Sequence, residues 1–341
     1  MRQLLALLCL LLLASPALAD ETVRVSILSR HAPRWIEIRG PTQLLVRAGA
    51  AGLLVDGVPR DRIALQPARW ALRGAGFRRV YDGSLELRQE RGAIAVWIDQ
   101  PLEAYVADVV AAESEPGTPP AALRALAVVV RSYAVAGADR HEAGGRCDLA
   151  HCQITFGRRS DAAAARAAAA ATAGQVLRLA DGSVALAPFH ASCGGRTASP
   201  AALFGGVDRS GAAPVTDPGC SAPWEALLPT AAVEAAIAEA FGVPAPLARL
   251  RRHGESRWVD PATGRFASAE GFARALDRRA GWGVVRSPRF DFVPGGGAVR
   301  LRGRGHGHGA GLCQAGAAAL ARAGSNHAAI LAHYFPNARL R

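Results

Sequence analysis

Glu113 is a glutamate whose position suits acid catalysis. It follows residues 102–112, LEAYVADVVAA, whose apolar spacing predicts an α-helix, and it precedes a stretch broken by Pro116 and Gly117. The helix dipole disfavours a negative charge at a helix C-terminus, and apolar neighbours disfavour it too, so both raise the pKa of the carboxyl group. The position therefore fits a general acid. It also fits a solvated glutamate at a helix end, and Glu115 is a rival two residues on.

A second group of reactive residues lies in residues 141–153, HEAGGRCDLAHCQ. It holds His141, Cys147, His151 and Cys152, and imidazole and thiolate ligands in one loop suit zinc. A disulfide between the two cysteines is the alternative in an oxidising compartment. The sequence leaves both possibilities open.

A third group lies in residues 189–197, FHASCGGRT. Cys193 could pair with Cys220 farther along the chain. A catalytic pair of Cys193 with His190 lacks any supporting spacing.

Residues 303–316, GRGHGHGAGLCQAG, carry glycine at five alternating positions from 303 to 311. If the segment is extended, one face lacks side chains and the other presents Arg304, His306 and His308. Such a segment could form the floor of a cleft, and the two histidines could also bind a metal. It does not match a phosphate-binding loop, because the G-x-x-x-x-G-K-[ST] pattern is missing.

The remaining pattern predicts an α+β protein rather than an alternating βαβ fold. Residues 20–100 read as strands, with a hairpin turning at Arg91–Gly92. Helices follow from residue 101, and the second begins at Pro119–Pro120. Further predictions are a helix over 160–174 with Ser160 and Gly174 as caps, a hairpin at Asp181–Gly182, helices over 230–283 interrupted by a polar stretch at 252–265, and a hairpin over 284–305.

Composition restricts the class of protein. The chain has 341 residues, half of them hydrophobic and 20% charged, which is enough for one or two packed domains. The net charge is +12, and every basic residue other than histidine is an arginine. Such a charge favours polyanionic partners, but we find no nucleic-acid-binding motif, so we expect no nucleic-acid partner.

The N-terminus predicts export. Residues 1–19 carry one arginine, an apolar core and an Ala-Leu-Ala end, which is typical of a signal peptide cleaved before Asp20. The rest of the chain has no stretch long enough to span a membrane. We therefore expect a secreted or periplasmic protein.

After cleavage an odd number of cysteines remains, so at least one is unpaired, bound to a metal or joined to another chain: Cys147, Cys152, Cys193, Cys220 and Cys313.

Taken together and in order, LEAYVADVVAAESE, the CDLAHCQ loop, FHASCGGRT and RGHGHGAGLCQAGA resemble the SpoIID/LytB family of cell-wall proteins. The resemblance implies a SpoIID-like α+β fold, with a β-rich N-terminal part over 20–100. A mixed helical and hairpin catalytic region would follow over 101–341 around a long cleft, with a helical insertion at about 230–283.

The resemblance also implies a function. Sporulation members of the family are lytic transglycosylases that cleave peptidoglycan glycan strands after an amidase has removed the stem peptides. Their catalytic glutamate matches Glu113, and their zinc ligands match His141, Cys147 and Cys152. Zinc would be structural, and no organic cofactor is implied. The alternatives are a non-catalytic wall binder that enhances an amidase, as LytB-type members are described, and a metal-dependent hydrolase.

The same motifs suggest residues that bind substrate: Arg131, Tyr133, Gln153, His306, His308 and Gln314. Arg131 and Tyr133 are two residues apart and cannot share one helix face, so we expect one to line the site while the other packs. The sequence departs from the family at His306, where tryptophan is usual, and at Cys313, where serine is usual. It also has Leu126 in place of glutamine, and Glu113-Ser114-Glu115 in place of the usual EMP. Loss of the tryptophan removes an aromatic platform for a sugar.

Overall fold

The computed structural model describes residues 21–137, 141, 144–150, 152–217, 219–295 and 298–341. The signal peptide predicted over residues 1–19 lies outside the described residues. The described chain combines helices with many strands, which confirms the predicted α+β class.

The N-terminal part forms a nine-stranded sheet with the order β5-β4-β3-β2-β6-β7-β8-β1-β9. Neighbouring strands run antiparallel except at one edge, where β9 runs parallel to β1. The strands are β1 Thr22–Ile27, β2 Trp35–Arg39, β3 Gln43–Ala48, β4 Leu53–Val55, β5 Val58–Arg60, β6 Arg62–Gly74, β7 Phe77–Glu90, β8 Ala93–Pro101 and β9 Arg146–Cys147.

The hairpin of β7 and β8 shows why this region folds as a sheet. Along β7 buried and more exposed residues alternate, as expected when one face packs on a core. The turn lies at Arg91 and Gly92, as predicted, and both residues have positive φ, 51° and 76°. Two successive left-handed residues match the twist of the strands they join.

Three helices follow the first eight strands: α1 Leu102–Glu113, α2 Pro120–Ala136 and α3 Ala163–Ala171. Helix α2 contacts α1 and α3 and is buried along most of its length, so it is the central helix of the first core. The capping prediction for α3 was wrong. Its N-cap is Ala162 and its C-cap is Thr172, so the helix is shorter than the alanine-rich run indicated.

The rest of the chain supplies short strands and helices. They are β10 Leu177–Arg178, β11 Phe189–His190, α4 Pro200–Phe204, β12 Pro223–Pro229, α5 Thr230–Phe241, a 3₁₀ turn Leu247–Arg249, β13 Arg251–His253, β14 Arg257–Val259, β15 Phe266–Ser268, α6 Ala269–Ala280, β16 Phe290–Gly295, β17 Ala298–Arg304, β18 Leu312–Cys313, α7 Gln314–Arg322, α8 His327–Tyr334 and β19 Arg339–Leu340. Helices α7 and α8 pack on α2 in the first core.

A second hydrophobic core lies within residues 224–301. Its centre is aromatic: the Trp258 and Phe290 rings stack at 5.6 Å, and the Phe272 ring meets Trp258 edge-on at 5.9 Å. The polar stretch at 252–265, predicted as an irregular interruption, belongs instead to a three-stranded sheet of β13, β14 and β15. Trp258, at the middle of β14, faces the core. The strands of this sheet are each three residues long, so the alternation of buried and exposed residues along them is too short to stand out in the sequence.

The hairpin predictions had mixed outcomes. Strands β16 and β17 form the expected hairpin. At Asp181–Gly182 the chain does turn, but only an isolated bridge between Arg178 and Val184 closes it. Strand β11, the next strand after this turn, pairs in parallel with β18.

The glycine-rich segment is not extended, so the predicted side-chain-free face was wrong. Gly305, Gly307, Gly309 and Gly311 all have positive φ. A Cβ on Gly305 would lie 2.7 Å from the Ser192 carbonyl oxygen, and one on Gly311 would lie 2.0 Å from the Pro188 carbonyl oxygen. The glycines therefore let this segment pack directly against residues 188–193, and they do not provide a bare floor.

Candidate active site

Glu113 is the last residue of α1, as the sequence predicted. Ser114 takes an extended conformation that ends the helix, and Gly117 has a φ of 79°, which a residue with a side chain rarely adopts. Helix α2 then begins at Pro120, where a missing N–H removes no helical hydrogen bond. The broken junction therefore fixes the Glu113 carboxylate at the end of one helix, just before the next.

The Glu113 side chain is half-buried, and burial raises the pKa of its carboxyl group. The backbone N–H of Ile154 donates a hydrogen bond to Oε1 at 2.9 Å, which opposes that rise without cancelling it. A carboxyl group with a raised pKa keeps its proton at a higher pH than a free glutamate does. That property is the one a general acid needs.

Glu115, the rival candidate, is more exposed to solvent than Glu113. Glu115 is exposed, and its backbone carbonyl accepts hydrogen bonds from the Thr118 N–H and hydroxyl. Only Glu113 of the two combines partial burial with a fixed hydrogen-bond partner.

Asp108 is another carboxyl group on α1, one that sequence reasoning did not single out. It is buried, and its Oδ2 accepts a 2.7 Å hydrogen bond from the Gln100 amide on β8. Burial raises its pKa to about 6. The local pattern held no signal for it, because the pairing depends on how α1 packs on the sheet.

The predicted zinc ligands come together. One ligand atom each from His141, Cys147 and Cys152 lie within 4.8 Å of one another. His141 Nε2 lies 3.3 Å from the Cys152 Sγ, and the Cys147 N–H points at the same sulfur from 3.4 Å. Strand β9 places Cys147 beside Ser26 of β1, so the sheet anchors the loop. This donor set fits zinc. His151, the other histidine of the loop, lies outside the described residues.

The loop also reaches Glu113. Ile154, which donates to the Glu113 carboxylate, follows Cys152 by two residues. Any group that holds Cys152 in place therefore also helps to position the N–H that orients the candidate acid.

Arg131 does not face a substrate site, and that prediction was wrong. Its side chain is 0% exposed and forms a bidentate pair with Glu103, at 2.8 Å from Nε and 2.5 Å from Nη2. Two further hydrogen bonds go to the Gln175 and Ala169 carbonyl oxygens. Arg131 thus joins α1, α2 and the end of α3. Tyr133 is also buried, at 9% exposure, so neither residue is open to substrate.

Gln153 is likewise structural. Its side chain is buried, accepts a hydrogen bond from the Tyr105 hydroxyl at 2.9 Å and donates one to the Val130 carbonyl at 3.4 Å. These contacts tie the loop to α1 and α2, so the prediction that Gln153 contacts substrate is corrected too.

His306, His308 and Gln314 lie on the glycine-rich segment and at the start of α7. His306 is exposed, and Gln314 is half-buried. His308 packs at 5.2 Å from the Phe204 ring and 5.5 Å from the His190 ring, and burial lowers its pKa to about 4. Among the described hydrogen bonds, none joins these three residues to Glu113.

A cavity of about 530 Å³ lies beside the second core. Exposed Phe204 and Phe266 line it together with Arg257, Arg274 and Glu270. Glu113 is not among its lining residues, so this cavity is separate from the candidate acid.

Among the described residues, no helix is both long enough and apolar enough to cross a membrane.

A search of the curated proteins finds no match. Residues 90–179 match the family model described as SpoIID, stage II sporulation protein. That range contains Glu113 and the His141–Cys152 loop, but not the segments at 189–197 and 303–316. The match supports the resemblance over residues 90–179 and is consistent with a cell-wall role.

Proposed function

We propose that this protein is a peptidoglycan lytic transglycosylase in which Glu113 is the single general acid and base. The observation that carries the proposal is the half-buried Glu113 carboxyl group, whose pKa is raised by burial. A glycosidase that hydrolyses its substrate normally needs two carboxyl groups. A lytic transglycosylase needs only one, because the substrate supplies its own nucleophile.

The chemistry follows from one carboxyl group. Protonated Glu113 gives its proton to the glycosidic oxygen as the bond from that oxygen to C1 of the muramic acid breaks. The carboxylate then takes the proton of the C6 hydroxyl, whose oxygen bonds to C1 and closes a 1,6-anhydro ring. Glu113 ends protonated, and no water is consumed. Since the Ile154 N–H engages Oε1, Oε2 is the oxygen we expect to carry the proton.

We also propose that His141, Cys147 and Cys152 hold a structural zinc ion. Zinc bound there would stiffen the loop that carries Ile154. The support is the convergence of the three ligand atoms. We also propose that the protein is exported, which the N-terminal sequence supports. The resemblance supports a glycan substrate from which an amidase has already removed the stem peptides.

The test compares two isosteric variants on peptide-stripped glycan strands. We expect Glu113→Gln to lose at least 100-fold in rate, because general acid catalysis contributes about 10²- to 10⁴-fold. The matched control, Glu115→Gln, should keep wild-type activity because Glu115 is exposed. Wild-type activity in Glu113→Gln would contradict the assignment.

A second candidate function is a non-catalytic wall binder that enhances an amidase. The observation that favours it is the cavity lined by Phe204 and Phe266, since exposed aromatic rings suit sugar binding and this cavity lies apart from Glu113. Under that reading, wild type and Glu113→Gln would bind glycan strands equally, cleave none, and stimulate the amidase to the same extent.

A further inference from the structure

Four buried side chains from three separate segments converge beside the first core. One ligand atom each from Cys193, Asp217, Cys220 and Cys313 lie within 4.8 Å of one another. Cys193 follows β11, Asp217 and Cys220 precede β12, and Cys313 ends β18. No sequence spacing indicates this cluster, because Cys193 and Cys313 are 120 residues apart.

The separations suit ligands around one metal ion. The Cys220 and Cys313 sulfurs are 3.4 Å apart, and the Cys193 sulfur is 3.4 Å from Asp217 Oδ2. Tetrahedral zinc with a bond of about 2.3 Å to sulfur places two sulfurs about 3.8 Å apart. A disulfide requires about 2.05 Å and would use only two of the three cysteines.

Hydrogen-bond donors surround the sulfurs. The Gly194 N–H points at the Cys220 sulfur from 3.4 Å, and the Cys193 and Gly316 N–H groups each point at the Cys313 sulfur from 3.3 Å. Cys313 is also the N-cap of α7, where the helix dipole favours a negative charge. Such donors stabilise thiolates rather than thiols, as they do around metal ligands.

Asp217 supplies an independent reason for a cation. It is 3% exposed, and among the described residues no arginine or histidine forms an ion pair with it. The Tyr334 hydroxyl donates to its Oδ2 at 2.8 Å, as an outer partner of a metal-binding carboxylate does. Buried carboxylates in proteins are paired with a cation or coordinate a metal. The space around it is fixed, since a Cβ on Gly316 would lie 1.8 Å from Oδ2.

We propose that Cys193, Asp217, Cys220 and Cys313 form a second, structural zinc site, distinct from the His141–Cys152 loop. Three soft thiolates and one carboxylate in a closed, buried arrangement suit zinc and leave no position for a reacting water. The ion would join the strand after residue 188, the start of α7 and the segment that leads into the second core. It would therefore fix the second core to the first core.

The test uses the full chain with Cys147→Ser and Cys152→Ser together, which removes the thiols of the loop and keeps the cluster. We expect this variant, purified under reducing conditions, to bind one zinc per chain. Cobalt in its place should give the sulfur-to-metal charge-transfer absorption of a thiolate site. Adding Cys220→Ser should abolish both, while the matched addition of Ser210→Ala, outside the cluster, should change neither.

Two results would overturn the site. One is a folded double variant that binds no zinc or cobalt. The other comes from wild-type protein that is unfolded without reductant and treated with an alkylating reagent. If only one of the three cluster cysteines reacts, the other two form a disulfide. If the double variant does not fold, wild type is compared with Cys220→Ser, which must bind one zinc ion fewer per chain. Equal zinc content in the two proteins would then contradict the site. No arm uses glycan cleavage, so the site and the proposed activity fail independently.

Discussion

At the scale of single residues, the central feature is a carboxyl group kept partly out of water. Burial raises the pKa of Glu113, and the Ile154 N–H holds Oε1 in place. The sequence identified the residue and the direction of the shift, because both follow from apolar neighbours at a helix end. It could not supply the Ile154 contact, which joins residues 41 positions apart.

The raised pKa of Glu113 predicts a pH dependence. The acid form is active in the first step, so kcat should fall as pH rises through the pKa of Glu113, and that fall should lie above the range of an ordinary glutamate. A pH–rate profile on defined glycan strands measures it. A fall centred on the ordinary glutamate pKa would contradict the role given to burial.

Stability should move in the same sense as activity when the pH rises. Folded protein binds the Glu113 proton more tightly than unfolded protein, so stability falls as pH rises from the unfolded pKa through the folded pKa. Glu113→Gln removes this loss and keeps an oxygen for the Ile154 N–H. We therefore expect its melting temperature at pH 7 to equal or exceed that of wild type, with no gain at pH 4. A clearly lower value at pH 7 would show that the carboxylate is structural.

At the scale of elements, the helices and the β7–β8 hairpin follow from local patterns, whereas the packing of polar side chains does not. Arg131 was expected in the substrate site because its motif resembles the family. The structure places it in a buried pair with Glu103. The glycine-rich segment was expected to be extended, but its alternating left-handed glycines depend on close contact with residues 188–193. Neither contact partner is near in sequence.

Arg131 should therefore matter for folding. Arg131→Ala leaves Glu103 without its ion-pair partner and removes donors from the Gln175 and Ala169 carbonyls, so we expect a loss of about 3 kcal/mol in the free energy of unfolding. Urea denaturation measures this. Arg124→Ala, on the exposed face of the same helix, is the control and should change stability by less than about 0.5 kcal/mol. A stable Arg131→Ala with weakened glycan binding would restore the substrate role.

At the scale of the whole molecule, the described residues form two large hydrophobic cores and a small cluster of Ala198, Leu203 and Ala310. The first contains the sheet, α1, α2 and the C-terminal helices, and the second lies within residues 224–301. Composition predicted enough apolar residues for such cores, and the change from strand to helix patterns near residue 101 was visible. The return of residues 312–334 to the first core was not, because pairing of β11 with β18 and packing on α2 are long-range contacts.

The most direct test of the central claim is product analysis in water enriched in ¹⁸O. Wild-type protein would digest peptide-stripped glycan strands, and mass spectrometry would read the new ends. A single carboxyl group acting as acid and then base predicts 1,6-anhydro-muramic ends that contain no ¹⁸O. Reducing ends that carry ¹⁸O would contradict the account, because they require water as the nucleophile and a second carboxyl group to activate it.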